Sequence, residues 1–297
     1  MRRLQSFLPL YLALLANFGH AAQPQEVTFA GLDSTALKAW LFQPAEISIQ
    51  DIAKPKRGTV VALHGCGGLY ATVGERKGLL NARHQAMADM LVVQGYNAVF
   101  PDSLTTRGER SLCVQAIGSR KITQRERRSD ALATLAWVAQ QPWADAQRIA
   151  VLGWSHGGSA VLSATDGNHP LVKSQQLSNS LRFKTAIAFY PGCSDALEKG
   201  YKPNTALIFL LGADDDWTPP LPCSALAKQL QTEKYDVELT MYDRAVHGFD
   251  NPVGSVVERK EIPSRLHPGR GVMNGPNPEA REKANARVRE ILKAAFD

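Results

Sequence analysis

The residues Gly153-Trp154-Ser155-His156-Gly157 have the G-x-S-x-G spacing that holds a serine on a sharp strand-to-helix turn. A serine hydroxyl is a poor nucleophile until a base takes its proton. On such a turn the positions two before and two after the serine have room for almost no side chain, which is why both are glycine. The spacing alone is weak, because glycine and serine are common. Its setting strengthens it. Arg148 to Leu152 (RIAVL) reads as a buried strand, and Gly158 to Ala164 (GSAVLSA) opens a helix. The competing role for Ser155 is an ordinary helix N-cap.

A nucleophilic serine needs a base and an acid that orients it, and on a strand–turn–serine–helix scaffold they follow in the order acid, then histidine. After the apolar run Ala206–Leu211 comes Gly212-Ala213-Asp214-Asp215-Asp216-Trp217, and after Val237–Tyr242 comes Ala245-Val246-His247-Gly248-Phe249. His247 is therefore the candidate base, and one of three adjacent aspartates the candidate acid. His20, His84, His169 and His267 lie in a leader, a helix or loops. His64, His156 and His247 include no i, i+4 ligand pair, so the pattern points to no metal site. His64-Gly65-Cys66-Gly67-Gly68 follows the strand Thr59–Leu63 and has the glycines that let backbone N–H groups approach a substrate oxygen. The N–H groups of Cys66 and His156 are the candidate oxyanion hole. The loop after Asn97–Phe100 contains Arg107, whose planar fork suits a substrate carboxylate or an internal pair with Glu109; Trp154 is a second candidate substrate contact.

The elements that must place these residues alternate along the chain. Strands are expected at Val27–Ala30, Leu37–Gln43, Thr59–Leu63, Asn97–Phe100, Ile149–Leu152, Thr185–Tyr190, Ala206–Leu211 and Val237–Tyr242. Helices are expected at His84–Gln94, Glu126–Gln140, Ser159–Ala164 and Pro278–Phe296. Such alternation predicts an α/β fold, with a mostly parallel sheet covered on both faces. Two long polar stretches, Ser103–Arg125 and Asn251–Asn277, have no expected element, and connections of that length are often functional.

With 297 residues, 44% of them apolar, the chain is globular and long enough for one α/β domain. The N-terminus has Arg2 and Arg3, a short apolar stretch from Phe7 to Phe18, and small residues to Ala22. That is the pattern of a cleaved export signal over 1–22, leaving 23–297 as a single catalytic domain. Cleavage would lower the formal charge from +6 to +4. No Lys/Arg block suggests a nucleic-acid partner, and no later segment has the apolar length of a membrane span. A periplasmic or secreted location follows.

The series HGCGG, GWSHGG, GADDDWTP and HGF resembles the α/β-hydrolase fold, and within it the dienelactone hydrolase-like group, over about residues 27 to 296. The resemblance implies an eight-stranded sheet with HGCGG after the third strand, Ser155 after the fifth, the acid after the seventh and His247 after the eighth. The group's G-x-x-D spacing selects Asp215. The chain departs from the group in one respect, because the dienelactone hydrolases that name it use a cysteine nucleophile where this chain has Ser155. The implied activity is hydrolysis of a small-molecule ester or lactone without a cofactor. A peptidase or amidase, or a silent binding protein on the same scaffold, are the alternatives. In the implied sheet order the connections after strands three and four are neighbours, as are those after six and seven. On that topology the four cysteines pair as Cys66–Cys113 and Cys193–Cys223, in keeping with an exported chain.

Overall fold

The computed structural model describes residues 24–45, 56–116 and 118–297; the expected leader over 1–22 lies outside them. Eight strands form one sheet: β1 (Gln25–Ala30), β2 (Ala36–Phe42), β3 (Arg57–Leu63), β4 (Asn97–Pro101), β5 (Ala144–Trp154), β6 (Thr185–Phe189), β7 (Ala206–Gly212) and β8 (Val237–Tyr242). Their order is β1-β2-β4-β3-β5-β6-β7-β8. The hairpin β1–β2 is antiparallel and joins β4 antiparallel; every other pairing is parallel. This is the sheet that the strand–helix alternation predicts.

Both faces are buried, and the period-two alternation shows it directly. Val61, Leu63, Ile149 and Val151 pack on one face with α2 (Gln124–Ala139), α3 (His156–Ala164) and α6 (Pro220–Thr232). Val60, Ala62, Ala150, Leu152 and Trp154 pack on the other with α1 (Ala82–Val93) and α7 (Pro278–Phe296). In α7 the stripe Ala280, Ala284, Val288, Ile291 and Leu292 faces the sheet at helical spacing. Two shorter helices, α4 (Pro170–Asn179) and α5 (Ser194–Glu198), complete the set.

The sequence reading missed α4, α5 and α6. In α6 the buried positions Cys223, Leu226, Ala227 and Leu230 have a helical spacing, but Pro219, Pro220 and Pro222 mask the start. Proline is tolerated there because first-turn N–H groups have no intrahelical partner. The stretch 251–277 also contains an antiparallel hairpin of β9 (Val257–Pro263) and β10 (Gly271–Asn274). Its sequence VERKEIP is mostly charged, so no apolar alternation marked it. Among its described residues the stretch 103–123 is irregular apart from a 3-10 turn at Thr105–Arg107, and α2 begins at Gln124. Leu104, Leu112, Ile122 and Cys66 give it a small apolar cluster of its own.

Candidate active site

Ser155 follows β5 with φ 53° and ψ −117°, a left-handed geometry that non-glycine residues rarely adopt. Its N–H donates to the Phe189 carbonyl at 2.9 Å, which fixes the turn against β6. A Cβ at Gly157 would stand 2.0 Å from the Leu63 carbonyl oxygen. Any side chain there would push α3 off β3, and this accounts for the second glycine of the motif. The hydroxyl-bearing residue is 7% exposed.

The loops after β7 and β8 bring Asp215 and His247 together. Gly212 lets them touch, because a Cβ there would meet the Ala245 carbonyl oxygen at 2.3 Å. Asp215 Oδ1 accepts the N–H groups of Trp217 and Thr218, each at 2.9 Å. Its Oδ2 lies 2.8 Å from His247 Nδ1, with both residues buried. The Thr218 hydroxyl stands 3.0 Å from that Oδ2 and from His247 Nδ1. With Nδ1 facing the carboxylate, Nε2 is the ring nitrogen turned away from it. The other two aspartates have different surroundings. Asp214 is exposed, and Asp216 is buried where its Oδ1 accepts the Met273 N–H of β10 at 2.8 Å.

On the opposite side, His64 Nε2 accepts the Ser103 N–H at 3.3 Å, which directs Nδ1–H to the Gly65 carbonyl at 2.8 Å. Burial, and then the Arg127 charge, push the His64 pKa well down, so the ring is neutral. Arg127 is itself fully buried and donates to the His64 carbonyl at 2.7 Å. Burial, followed by the charges of Arg127 and Arg120, lowers His156 to about 3. The backbone N–H groups of Cys66 and His156 take no hydrogen-bond partner among the described residues. Cys66 is bridged to Cys113, and Cys193 to Cys223, each with a Cα–Cα distance of 5.0 Å.

Two expected substrate contacts are corrected by the geometry. The Arg107 fork is bidentate to Asp130, at 2.8 and 2.7 Å, and reaches Asp33 at 2.8 Å, so its donors serve an internal ion pair. Glu109, the partner weighed from sequence, instead accepts from Gln115. Trp154 lies in the core beneath the sheet edge, stacked on Phe189, and its indole N–H donates to Asp250 at 2.7 Å. Odd and even positions of a strand face opposite layers, and Trp154 falls with Leu152 on the buried α1/α7 side.

Three residues that the sequence did not mark converge beneath the site. Asp250 accepts from Trp154 and from the Tyr190 hydroxyl, and Arg83 Nε lies 3.3 Å from it. The Tyr190 ring in turn packs edge-on against His247 at 4.7 Å. Asp250 stands three residues after His247, the one signal that could have suggested it. One buried carboxylate thus ties the residue before Ser155 to the loop that carries the histidine.

The family model described as the dienelactone hydrolase family matches residues 71–296. Among solved structures, a dienelactone hydrolase-like promiscuous phosphotriesterase from metagenomic libraries is similar at 17% identity. That match covers 94% of this chain and all of the other, with a TM-score of 0.66. Esterase 2 of Thermogutta terrifontis, phosphorylated by paraoxon, is similar at 16% identity over 93% of this chain and 96% of that one, with a TM-score of 0.61. No curated protein matches the chain.

Proposed function

The chain belongs to the dienelactone hydrolase family, and on that basis we propose that it is an exported serine hydrolase that cleaves carboxylic esters or lactones of small to medium size through an acyl-enzyme. One observation carries the reading. The Asp215–His247 contact of 2.8 Å lies at the same sheet edge as a strained, glycine-flanked serine. His247 takes the Ser155 proton as the oxygen attacks the carbonyl carbon. The oxyanion is held by the N–H groups of Cys66 and His156, and Asp215 stabilises the imidazolium. The imidazolium gives its proton to the departing alcohol. Water, deprotonated by the same His247, then releases the acid. No step requires a cofactor or a metal. Both disulfides favour an oxidising compartment, in keeping with an export signal and a periplasmic or secreted location.

A fluorophosphonate probe tests the reading. The expected result is stoichiometric labelling of Ser155, lost in Ser155→Ala, together with a fall in kcat of about 10⁴-fold or more. A folded wild-type protein that takes no label, or a Ser155→Ala variant within about tenfold of wild type, would overturn it in favour of a silent scaffold. Cleavage of amides as fast as of matched esters would point to the peptidase or amidase alternative.

A further inference from the structure

The tryptophan that stands beside the proposed base is Trp217, two residues after Asp215. Its ring centroid lies 4.6 Å from that of His247. The same side chain packs against the cluster of Cys66, Leu104, Leu112 and Ile122 on the far side of the rim. One indole therefore spans from the proposed base to the loop of the proposed oxyanion hole. A reacting carbonyl must lie about 3 Å from the serine oxygen and from the oxyanion donors, beside this indole. The ring is only partly buried, so it still has surface to offer a ligand.

This indole is also held in place. The backbone N–H of Trp217 donates to Asp215 Oδ1. The Arg259 guanidinium of β9 lies 5.8 Å from the ring centroid, and Glu261 holds that arginine at 2.5 Å. The hairpin that presents Arg259 is fastened to the same loops: Met273 N–H donates to Asp216, while Gly275 N–H and the Asn274 side-chain amide donate to the His247 carbonyl. A cation over an indole face is favourable where water is partly excluded. The hairpin thus acts as a clamp on one side chain beside the proposed base.

We propose that Trp217, clamped by Arg259, is the wall of the acyl pocket and restricts the enzyme to short or planar acyl groups. The acyl carbon stays bonded to Ser155 after the alcohol has left, beside the Cys66 loop that Trp217 touches, so the wall acts on the acyl side. The inference rests on the serine hydrolase reading and adds the substrate class to it.

The test holds the leaving group constant and varies the acyl group: p-nitrophenyl acetate, butyrate, octanoate and benzoate. For the wild type, kcat/KM is expected to fall about tenfold or more from butyrate to octanoate, and benzoate to be accepted. Trp217→Ala should raise the octanoate-to-butyrate ratio about tenfold or more, within the range that apolar pocket contacts discriminate. Trp217→Phe should keep most of the restriction. Arg259→Met should move the ratio the same way by about threefold, on the scale of an exposed cation–π contact, and it supplies the test if Trp217→Ala does not fold. A wild type that turns over octanoate as well as butyrate overturns the proposal, as does a ratio unchanged in the variants. Either result in protein that labels at Ser155 sinks the wall alone, whereas wild type that does not label sinks the hydrolase reading beneath it.

Discussion

The two sides of the rim are built differently. The proposed oxyanion side, at the ends of β3 and β5, is held by a disulfide, a fully buried arginine and the pair of Arg107 with the buried Asp130. The proposed acid–base side, at the ends of β7 and β8, has no cysteine in the loops of Asp215 and His247 and is held by carboxylates, Asp216 accepting the Met273 N–H and Asp250 paired with Arg83, and by a hairpin with mostly exposed charges. The contrast follows from the work each side does. An oxyanion hole acts through backbone dipoles that must not reorganise during reaction, so its loop needs cross-links. In the proposed mechanism the imidazole passes a proton first one way and then the other, and needs orientation at Nδ1.

The largest expected effect breaks the acid–base side at its centre. Asp215→Asn should lower kcat by about 10⁴-fold, because the amide orients the wrong imidazole tautomer. Asp214→Asn should stay within about twofold, as expected for an exposed residue without a catalytic contact. A larger loss at Asp214 or Asp216 than at Asp215, measured as kcat on one ester, would assign the acid elsewhere.

Next is the ionic cross-link of the oxyanion side. Arg107→Ala leaves the buried Asp130 carboxylate unpaired and should cost about 3–5 kcal/mol in chemical denaturation. Burial pushes the Asp130 carboxyl up, so in the variant it will protonate as pH falls. The loss should therefore be smaller at acid than at neutral pH. Losses in activity should be equal on neutral and carboxylate-bearing esters. A selective loss on the carboxylate esters would return Arg107 to substrate binding.

The disulfides sharpen the comparison because one lies on the oxyanion loop and the other does not. Cys113→Ser and Cys223→Ser should each lower stability by about 2–4 kcal/mol, provided the remaining thiol is replaced as well. Only the double replacement at Cys66 and Cys113 should also lower kcat, by about tenfold with KM little changed, through a loosened hole. Equal kcat losses from the two bridges would erase the distinction.

A further expected effect is in acid stability. Burial lowers His156 and His84 to about 3, and pushes His64 well down, so these rings bind protons in the unfolded chain before they do so in the folded one. Stability is then full above the unfolded histidine value near 6.5 and declines as pH falls toward about 3. His156→Gln should flatten that decline by up to one proton, about 1.4 kcal/mol per pH unit. His267→Gln, at an exposed position, should leave the slope unchanged. Equal slopes in wild type and His156→Gln would show that His156 has no part in it.

What the sequence determined was local. Period-two runs such as Thr59–Leu63, the glycines around Ser155 and the chain order of serine, aspartate and histidine follow from backbone sterics within a few residues. The disulfide pairing was also legible once the resemblance supplied a sheet order, because bridges join neighbouring strand ends. Tertiary structure decided the rest. Trp154 and Trp217 both stand near candidate catalytic residues, yet one is fully buried in the core and the other is partly buried against His247. Arg107 was weighed for a substrate carboxylate or an internal pair with Glu109, and its partner is Asp130, far along the chain. The β9–β10 hairpin is mostly charged because its anchorage comes from backbone groups on the loops of Asp216 and His247, not from an apolar face of its own. Side-chain direction at a strand end, and the partner of a buried charge, are set by residues distant in sequence, so no contiguous pattern encodes them.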